Sequence, residues 1–196
     1  RGSLLVNPGG PGGSGVDFIR DSIDFATSDT LQREFDVVGF DPRGVGASTP
    51  IDCTSDDAGL DAFIYGIVPG ERGSDAWIAA SEQKNRAFGQ GCLEHTGALL
   101  EHVDTVSAAR DLDLLRAVLG DATLDYLGYS YGTYLGARYA ELFPGKTGRL
   151  VLDGAIDPSA TEFDVTLTQA RGFEGALTAY LEDCLGRDKC PFTGSA

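Results

Sequence analysis

Residues 128–132 read Gly-Tyr-Ser-Tyr-Gly and carry the clearest chemical signal in the sequence. The apolar segment 123–127 before them predicts a buried strand, and residues 133–140 after them predict a helix. A serine at a sharp strand-to-helix turn is held in strained backbone geometry, and flanking glycines remove collisions with neighbouring backbone. The pattern predicts that Ser130 is an exposed nucleophile. It also predicts that the N–H of Tyr131, at the helix start, can stabilise an oxyanion.

Two more loops follow predicted strands. Residues 3–6 predict a short apolar strand, and the loop 7–15 after it (Asn-Pro-Gly-Gly-Pro-Gly-Gly-Ser-Gly) has so many glycines that something must approach its backbone closely. Residues 35–40 predict another strand and lead into the turn-rich segment 41–48, Asp-Pro-Arg-Gly-Val-Gly-Ala-Ser. All three loops thus lie at the carboxyl ends of predicted parallel strands, where such sheets bind ligands.

Strand and helix segments alternate along the rest of the chain. Asp104 is a good N-cap for a helix whose apolar residues recur at helical spacing up to Gly120. Residues 149–154 predict another buried strand, and 173–184 predict an amphipathic helix. Residues 50–103 are less regular and predict an excursion with one helix at about 75–88. The alternation predicts an α/β fold with a mostly parallel sheet and flanking helices.

Together, the three motifs resemble the α/β-hydrolase fold. Residues 8–13 are similar to the His-Gly-Gly-Pro-Gly-Gly loop of proline iminopeptidases, with Asn7-Pro8 where that family often has a histidine. Residues 41–48 resemble the Asp-x-Arg-Gly-x-Gly-x-Ser loop of the same fold. More narrowly, the elbow 128–132 and the Asn-Pro-Gly-Gly-Pro-Gly segment resemble the secreted tripeptidyl aminopeptidases of actinobacteria. The resemblance extends from residue 3 to about residue 158.

The resemblance implies a role for each residue of these loops. Ser130 would attack an acyl carbon of a peptide or small acyl substrate, while the N–H groups of Tyr131 and Gly10 would form the oxyanion hole. Asp41 and Arg43 would organise the loops beside the site rather than take part in catalysis. The residues expected to shape these loops are Gly9, Pro11, Gly12, Asp41 and Arg43.

The acid and the base of a catalytic triad are harder to place. The family puts them after the nucleophile, in the order serine, acid, histidine, but the only histidines, His95 and His102, precede Ser130 and are expected to be surface or structural residues. Asp153, at the end of a predicted strand, is a candidate acid, and Asp157 has a weaker claim. Because a serine hydroxyl without its base is a poor nucleophile, the chain alone is expected to be nearly inactive.

These observations predict the N-terminal part of a longer hydrolase. Residues 1–158 would be part of a catalytic domain that is incomplete on its C-terminal side, and residues 159–196 would begin the lid helices. A second polypeptide or an absent segment would supply the histidine and the acid. The chain also starts directly in a strand, at Arg1, without a signal peptide, so an upstream segment is expected.

Composition narrows the choice of partners. The net charge of −15 argues against nucleic acid and anionic membranes as partners, and no segment approaches the length of a membrane span. No cofactor is expected. No metal is expected either, because no cysteines form a Cys-x-x-Cys pair and neither histidine is placed to complete a zinc site.

Four cysteines are present, and the sequence alone does not fix how they pair. Local pairing is favoured, because Cys184 and Cys190 are close in sequence while Cys53 and Cys92 bracket one irregular region. Disulfides would indicate an oxidising compartment and a secreted or cell-envelope protein. Four free thiols in a cytosolic protein are the alternative.

Other functions compete with the peptidase. Residues 10–15 also match the Gly-x-Gly-x-x-Gly fingerprint of dinucleotide-binding proteins, but that interpretation is disfavoured because it leaves the elbow unexplained and there is no Gly-Lys-Ser/Thr loop. A non-catalytic protein with a hydrolase scaffold would explain the missing histidine. Within the hydrolases, an esterase, lactonase or thioesterase is the alternative, since these enzymes share the peptidase mechanism.

Overall fold

The computed structural model describes residues 1–194. The chain is divided into two compact units, residues 1–155 and the segment from residue 156 onward. The division lies close to the boundary expected after residue 158. The first unit holds the sheet and all three loops singled out above.

Four parallel strands form the sheet of the first unit, in the order β2-β1-β3-β4. Their bounds are β1 Gly2–Asn7, β2 Phe35–Gly39, β3 Leu124–Tyr129 and β4 Thr147–Asp153. The strands expected from the sequence are therefore confirmed, with ends that shift by a few residues. The central strands β1 and β3 are almost entirely buried, whereas the edge strands β2 and β4 are more exposed. The prediction that residues 149–154 form a buried strand is therefore wrong about burial, because β4 lies at the edge of the sheet among the described residues.

Helices cover both faces of this sheet, which is why the central strands have near-continuous apolar sequences. Alternate side chains of a strand point to opposite faces. Leu5 therefore joins a core with Leu112 and Leu135, while Leu4 and Val6 pack on the other face. The four helices that flank the sheet are α1 Gly15–Ala26, α2 Asp29–Glu34, α5 Thr105–Val118 and α6 Tyr131–Leu142.

The excursion between β2 and α5 has more regular structure than its sequence indicates. It contains α3 (Asp57–Tyr65), α4 (Asp75–Thr96) and a 3₁₀ turn at Gly97–His102. Sequence analysis missed α3 and ended α4 too early, because most of the apolar residues in this region are partly exposed and give a weak periodic signal. The ring of Phe63 stacks on that of Phe88 at 3.7 Å, which joins the two helices.

Both disulfides of the described chain follow the favoured local pairing. Cys53 bonds to Cys92 and so connects the start of the excursion to α4. Cys184 bonds to Cys190 at the end of α7, which spans Glu162–Leu185 in the second unit. No helix in residues 1–194 has both the length and the apolar character needed to cross a membrane.

Helix α7 begins eleven residues earlier than the apolar pattern at 173–184 indicates. A capping box sets this start, since the Thr161 side chain accepts the N–H of Asp164 while the Asp164 side chain accepts the N–H of Thr161. The local capping residues, rather than an amphipathic face, thus decide where this helix starts.

Close backbone contact between α1 and β2 predicts a sensitive position in the first unit. A Cβ at Gly39 would collide with the carbonyl of Gly15, so Gly39→Ala should lower the free energy of unfolding by about 1–3 kcal/mol, as overpacking does. Urea unfolding checks this. Gly89→Ala, in α4 where a Cβ meets nothing within 4 Å, is the control and should be neutral or stabilising. Equal effects of the two substitutions would contradict the prediction.

Candidate active site

Ser130 occupies the strained turn that its sequence predicts. Its φ of 52° and ψ of −120° make it the one non-glycine residue with positive φ in the described chain. Its N–H donates to the carbonyl of Asp153 at 2.9 Å, and its own carbonyl accepts from the N–H and the hydroxyl of Thr133 at 2.9 and 2.7 Å. These bonds stabilise the turn from both sides and leave the residue exposed.

The glycines of the elbow are required by close packing. A Cβ at Gly128 would collide with the carbonyl of Gly132, and one at Gly132 would lie 2.8 Å from the carbonyl oxygen of Asn7. Movement of a flexible side chain could not make room for either Cβ, because the opposing atoms belong to the backbone. The spacing of Gly128 and Gly132 around Ser130 therefore has the steric origin inferred from the sequence.

The glycine loop lies directly against the elbow. Gly9 has a φ of 94°, and a Cβ built on it would lie 2.5 Å from the carbonyl oxygen of Tyr129 and 3.1 Å from both Ser130 Cβ and the Tyr131 nitrogen. Tyr131 is the first residue of α6, so its N–H has no acceptor within the helix. The structure thus brings the loop, Ser130 and a helix N-terminal N–H together.

Residues 10–12 of the glycine loop form a tight turn after this contact. Gly10 and Gly12 have φ values of 111° and 105°, on either side of Pro11. A Cβ at Gly10 would lie 2.8 Å from the Gly12 nitrogen, so the turn closes tightly on itself. Only glycine adopts this geometry without strain.

Asp41 connects the glycine loop to the loop that follows β2. Its carboxylate accepts from the Ser14 hydroxyl at 2.7 Å, from the Val16 N–H at 3.2 Å and from the Ala47 N–H at 2.8 Å. Burial pushes the pKa of Asp41 up, but these hydrogen bonds to the charged form outweigh it and hold the pKa below its usual value. The carboxylate therefore ties the start of α1 to the residues after β2.

Arg43 connects the same region to α5. Its guanidinium binds the carboxylate of Asp111 at 2.6 and 2.8 Å, and it also donates to the carbonyl of His102 at 3.4 Å. His102 contributes only its backbone to this contact, and His95 lines a separate groove beside Cys53. Neither the ion pair of Arg43 nor these histidine contacts includes Ser130.

Asp153 reaches the elbow through its backbone. Its carbonyl accepts the Ser130 N–H, while its side chain is exposed at the end of β4. Burial raises the pKa of the neighbouring Tyr129 phenol, and the charge of Asp153 raises it further. Asp157 lies in the second unit, where its carboxylate accepts from the N–H and hydroxyl of Ser159 in a local turn.

Sequence analysis did not identify two residues whose side chains form hydrogen bonds at the site. Asn7 is 1% exposed, and its Oδ1 accepts the Gly9 N–H at 3.0 Å; an amide in an otherwise apolar strand was the available signal. Thr105 shares a 2.8 Å hydrogen bond with the Tyr131 phenol, which no local pattern indicates. Within residues 1–194, no group of three histidine, cysteine or carboxylate side chains could hold a metal ion.

The bonds of Asp41 predict a pH-dependent effect. Because its pKa is lower in the folded than in the unfolded chain, its stabilisation is complete above the unfolded value of about 4 and is lost as the pH falls through the folded value. Asp41→Asn should therefore lower the free energy of unfolding at pH 7, and the difference should narrow below about pH 4.

Urea unfolding across this pH range measures the effect. Asp36→Asn is the matched control, because that carboxylate is exposed on β2 and pairs only with Arg1; it should have little effect at any pH. An Asp41→Asn difference that stays constant from pH 7 to pH 3 would contradict the assignment.

Comparison with known proteins supports the same architecture. Serine protease Hip1 of Mycobacterium tuberculosis is 42% identical over 191 residues, which cover 97% of this chain and 36% of that protein. Tripeptidyl aminopeptidase of Streptomyces coelicolor is 44% identical over 178 residues, 89% of this chain and 32% of that protein. Carboxylesterase B of M. tuberculosis is 44% identical over 191 residues, 97% of this chain and 36% of that protein.

The chain therefore spans about a third of the length of the curated relatives it matches. The sequence profile of the α/β-hydrolase fold matches residues 2–196. The matched residues include the strained serine turn, the glycine loop against it and the parallel sheet that positions both. By this match, and by identity above 40% to several of its members over most of its length, the chain belongs to the α/β-hydrolase fold family.

Proposed function

We propose that this chain carries the nucleophile and the oxyanion hole of a serine hydrolase that releases short peptides from free amino ends. The observation that supports this most directly is the exposed Ser130 at a φ of 52°, with the glycine loop packed against it. Strain of this kind persists only where the surrounding structure holds it, and it clusters at functional sites. It has no purpose in a non-catalytic scaffold.

The reaction would proceed through an acyl-enzyme. Ser130 Oγ would attack the carbonyl carbon and transfer its proton to a histidine, which then protonates the leaving amine. The N–H groups of Tyr131 and Gly10 would bind the negative oxygen of the tetrahedral intermediate. Water would then hydrolyse the acyl-enzyme by the same steps in reverse.

The relatives favour a peptidase and keep one alternative. The names serine protease and tripeptidyl aminopeptidase support peptide substrates, whereas the name carboxylesterase B supports an esterase on the same scaffold. Both reactions use the same nucleophile and oxyanion hole, so the elbow does not separate them. The choice depends on the residues that bind the substrate on either side of Ser130.

A segment outside these 196 residues would supply the histidine and, with it, the acid. No histidine follows Ser130 in the chain. Strand β4 has a paired neighbour only in β3 among the described residues, so the backbone groups of its outer edge are open to pairing with a further strand. Asp153, at the end of this edge strand, is the alternative acid.

The second unit and the cysteines fit this picture. Helix α7 exposes Phe163, Phe173 and Tyr180, as expected of the first helix of a lid that binds apolar parts of a substrate.

The two disulfides support an oxidising compartment, and we place the protein outside the cell or in the cell envelope. The net charge of −15 argues against nucleic acid and anionic membranes as partners, and we propose a peptide or small acyl substrate from the relatives instead.

Replacement of the nucleophile tests the function directly. In the complete protein, Ser130→Ala should abolish labelling by a fluorophosphonate probe and lower kcat by more than about 10⁴-fold, because no acyl-enzyme can form. The control is Ser28→Ala, at the N-cap of α2, which should leave labelling unchanged. Tripeptidyl anilides and short acyl esters, compared by kcat/KM, then distinguish peptidase from esterase. Labelling that survives in Ser130→Ala would disprove the assignment.

The proposed origin of the base predicts the behaviour of the isolated chain. Residues 1–196 alone should react with the probe far more slowly than the complete protein, because no base removes the Ser130 proton. Intact mass of the labelled native material, with and without reductant, shows whether Ser130 is labelled in association with a histidine-bearing polypeptide. A fully active monomer of 196 residues would contradict the proposal.

A further inference from the structure

Asn7 is a buried polar residue at the carboxyl end of a central strand. It ends β1, is 1% exposed and pairs in register with Gly128 of β3. The preceding residues, Leu5 and Val6, are apolar and equally buried. Asparagine is depleted in strands, and a buried amide must be hydrogen-bonded. Packing alone therefore does not explain this residue type.

The amide oxygen of Asn7 holds the glycine loop. Oδ1 accepts the N–H of Gly9 at 3.0 Å, in a short turn of the kind that asparagine forms with the backbone two residues later. Gly9 has a wide choice of conformations because it lacks a Cβ. The hydrogen bond selects one of them, and this choice sets the direction of the next peptide, whose N–H belongs to Gly10.

The same side chain contacts the elbow. A Cβ at Gly132 would lie 2.9 Å from Asn7 Oδ1 and 2.8 Å from the Asn7 carbonyl oxygen. Gly132 follows Tyr131 in the first turn of α6. Asn7 thus lies between the two segments that carry the proposed donors, the N–H groups of Gly10 and Tyr131.

We infer that Asn7 is a positioning residue for the oxyanion hole, an inference that rests on the function proposed above. Its bond to Gly9 and its contact with Gly132 set the spacing of the two donors. A neutral amide suits this place. A carboxylate would add negative charge beside the developing oxyanion, and an apolar side chain would leave the Gly9 N–H unpaired.

Two substitutions in the complete enzyme test this inference. Asn7→Ala removes the acceptor, so kcat should fall by about 10–10²-fold, less than the loss of a whole donor, with KM nearly unchanged because the oxyanion forms only in the transition state. Asn7→Asp keeps the shape and the acceptor. Its kcat should be low at neutral pH, and its ratio to wild type should rise as the pH falls and the buried carboxylate takes up a proton.

The control is Ser3→Ala, at the other end of β1, where the residue is also buried; its kcat should match wild type. Unfolding curves establish that each variant folds, and if Asn7→Ala does not fold, the pH profile of Asn7→Asp decides. Two results would overturn this inference but not the proposed function. One is an unchanged kcat in folded Asn7→Ala, and the other is a ratio of the Asn7→Asp kcat to the wild-type kcat that stays constant across pH. Absence of labelling at Ser130 in wild type would overturn the proposed function and this inference together.

Discussion

The close contact between the glycine loop and the serine turn is the constraint on which the site depends. Gly9 approaches the backbone of Tyr129 and Tyr131 to a distance that leaves no room for a Cβ. Ser130 lies in this contact with a positive φ, which costs free energy in any residue other than glycine. The strand β4 and the first turn of α6 supply the hydrogen bonds that offset this cost.

Polar side chains then fix the surrounding loops to one another. Asp41 joins the start of α1 to the segment after β2, and Arg43 joins that segment to Asp111 of α5. At the N-terminus of α5, Thr105 bonds to the phenol of Tyr131. Tyr131, the residue after Ser130, is therefore joined by a hydrogen bond to a helix 26 positions earlier in the sequence. Such a network keeps the site rigid because few of its polar groups can rearrange without losing a partner.

The sheet determines both the position of Ser130 and the place where we propose that a further segment pairs. Helices cover the two faces of the sheet, while the edges β2 and β4 each have one paired neighbour within the described residues. Ser130 follows the inner strand β3, beside the edge strand β4. A segment that pairs with β4 would bring its own loops to the carboxyl end of the sheet, next to Ser130, because the loops of neighbouring parallel strands share one edge.

The sequence by itself determined the strands, the class of fold and the residue types of the elbow and the glycine loop. Burial between two helical layers requires near-continuous apolar strands, and sharp turns with close backbone contacts require glycine. These requirements are local, so they can be seen in the order of residues. The capping residues of α5 were visible in the same way.

Only the tertiary structure decided which distant residues meet. It placed the Asn7 amide between Gly9 and Gly132, paired Arg43 with Asp111 and connected Thr105 to Tyr131. It also formed α3 in a region where the sequence pattern is weak, through stacking of Phe63 on Phe88. The hydrogen bonds among these contacts join residues up to 68 positions apart. Packing of the helices on the sheet leaves a periodic apolar pattern in the chain, but that pattern does not specify which particular side chains meet.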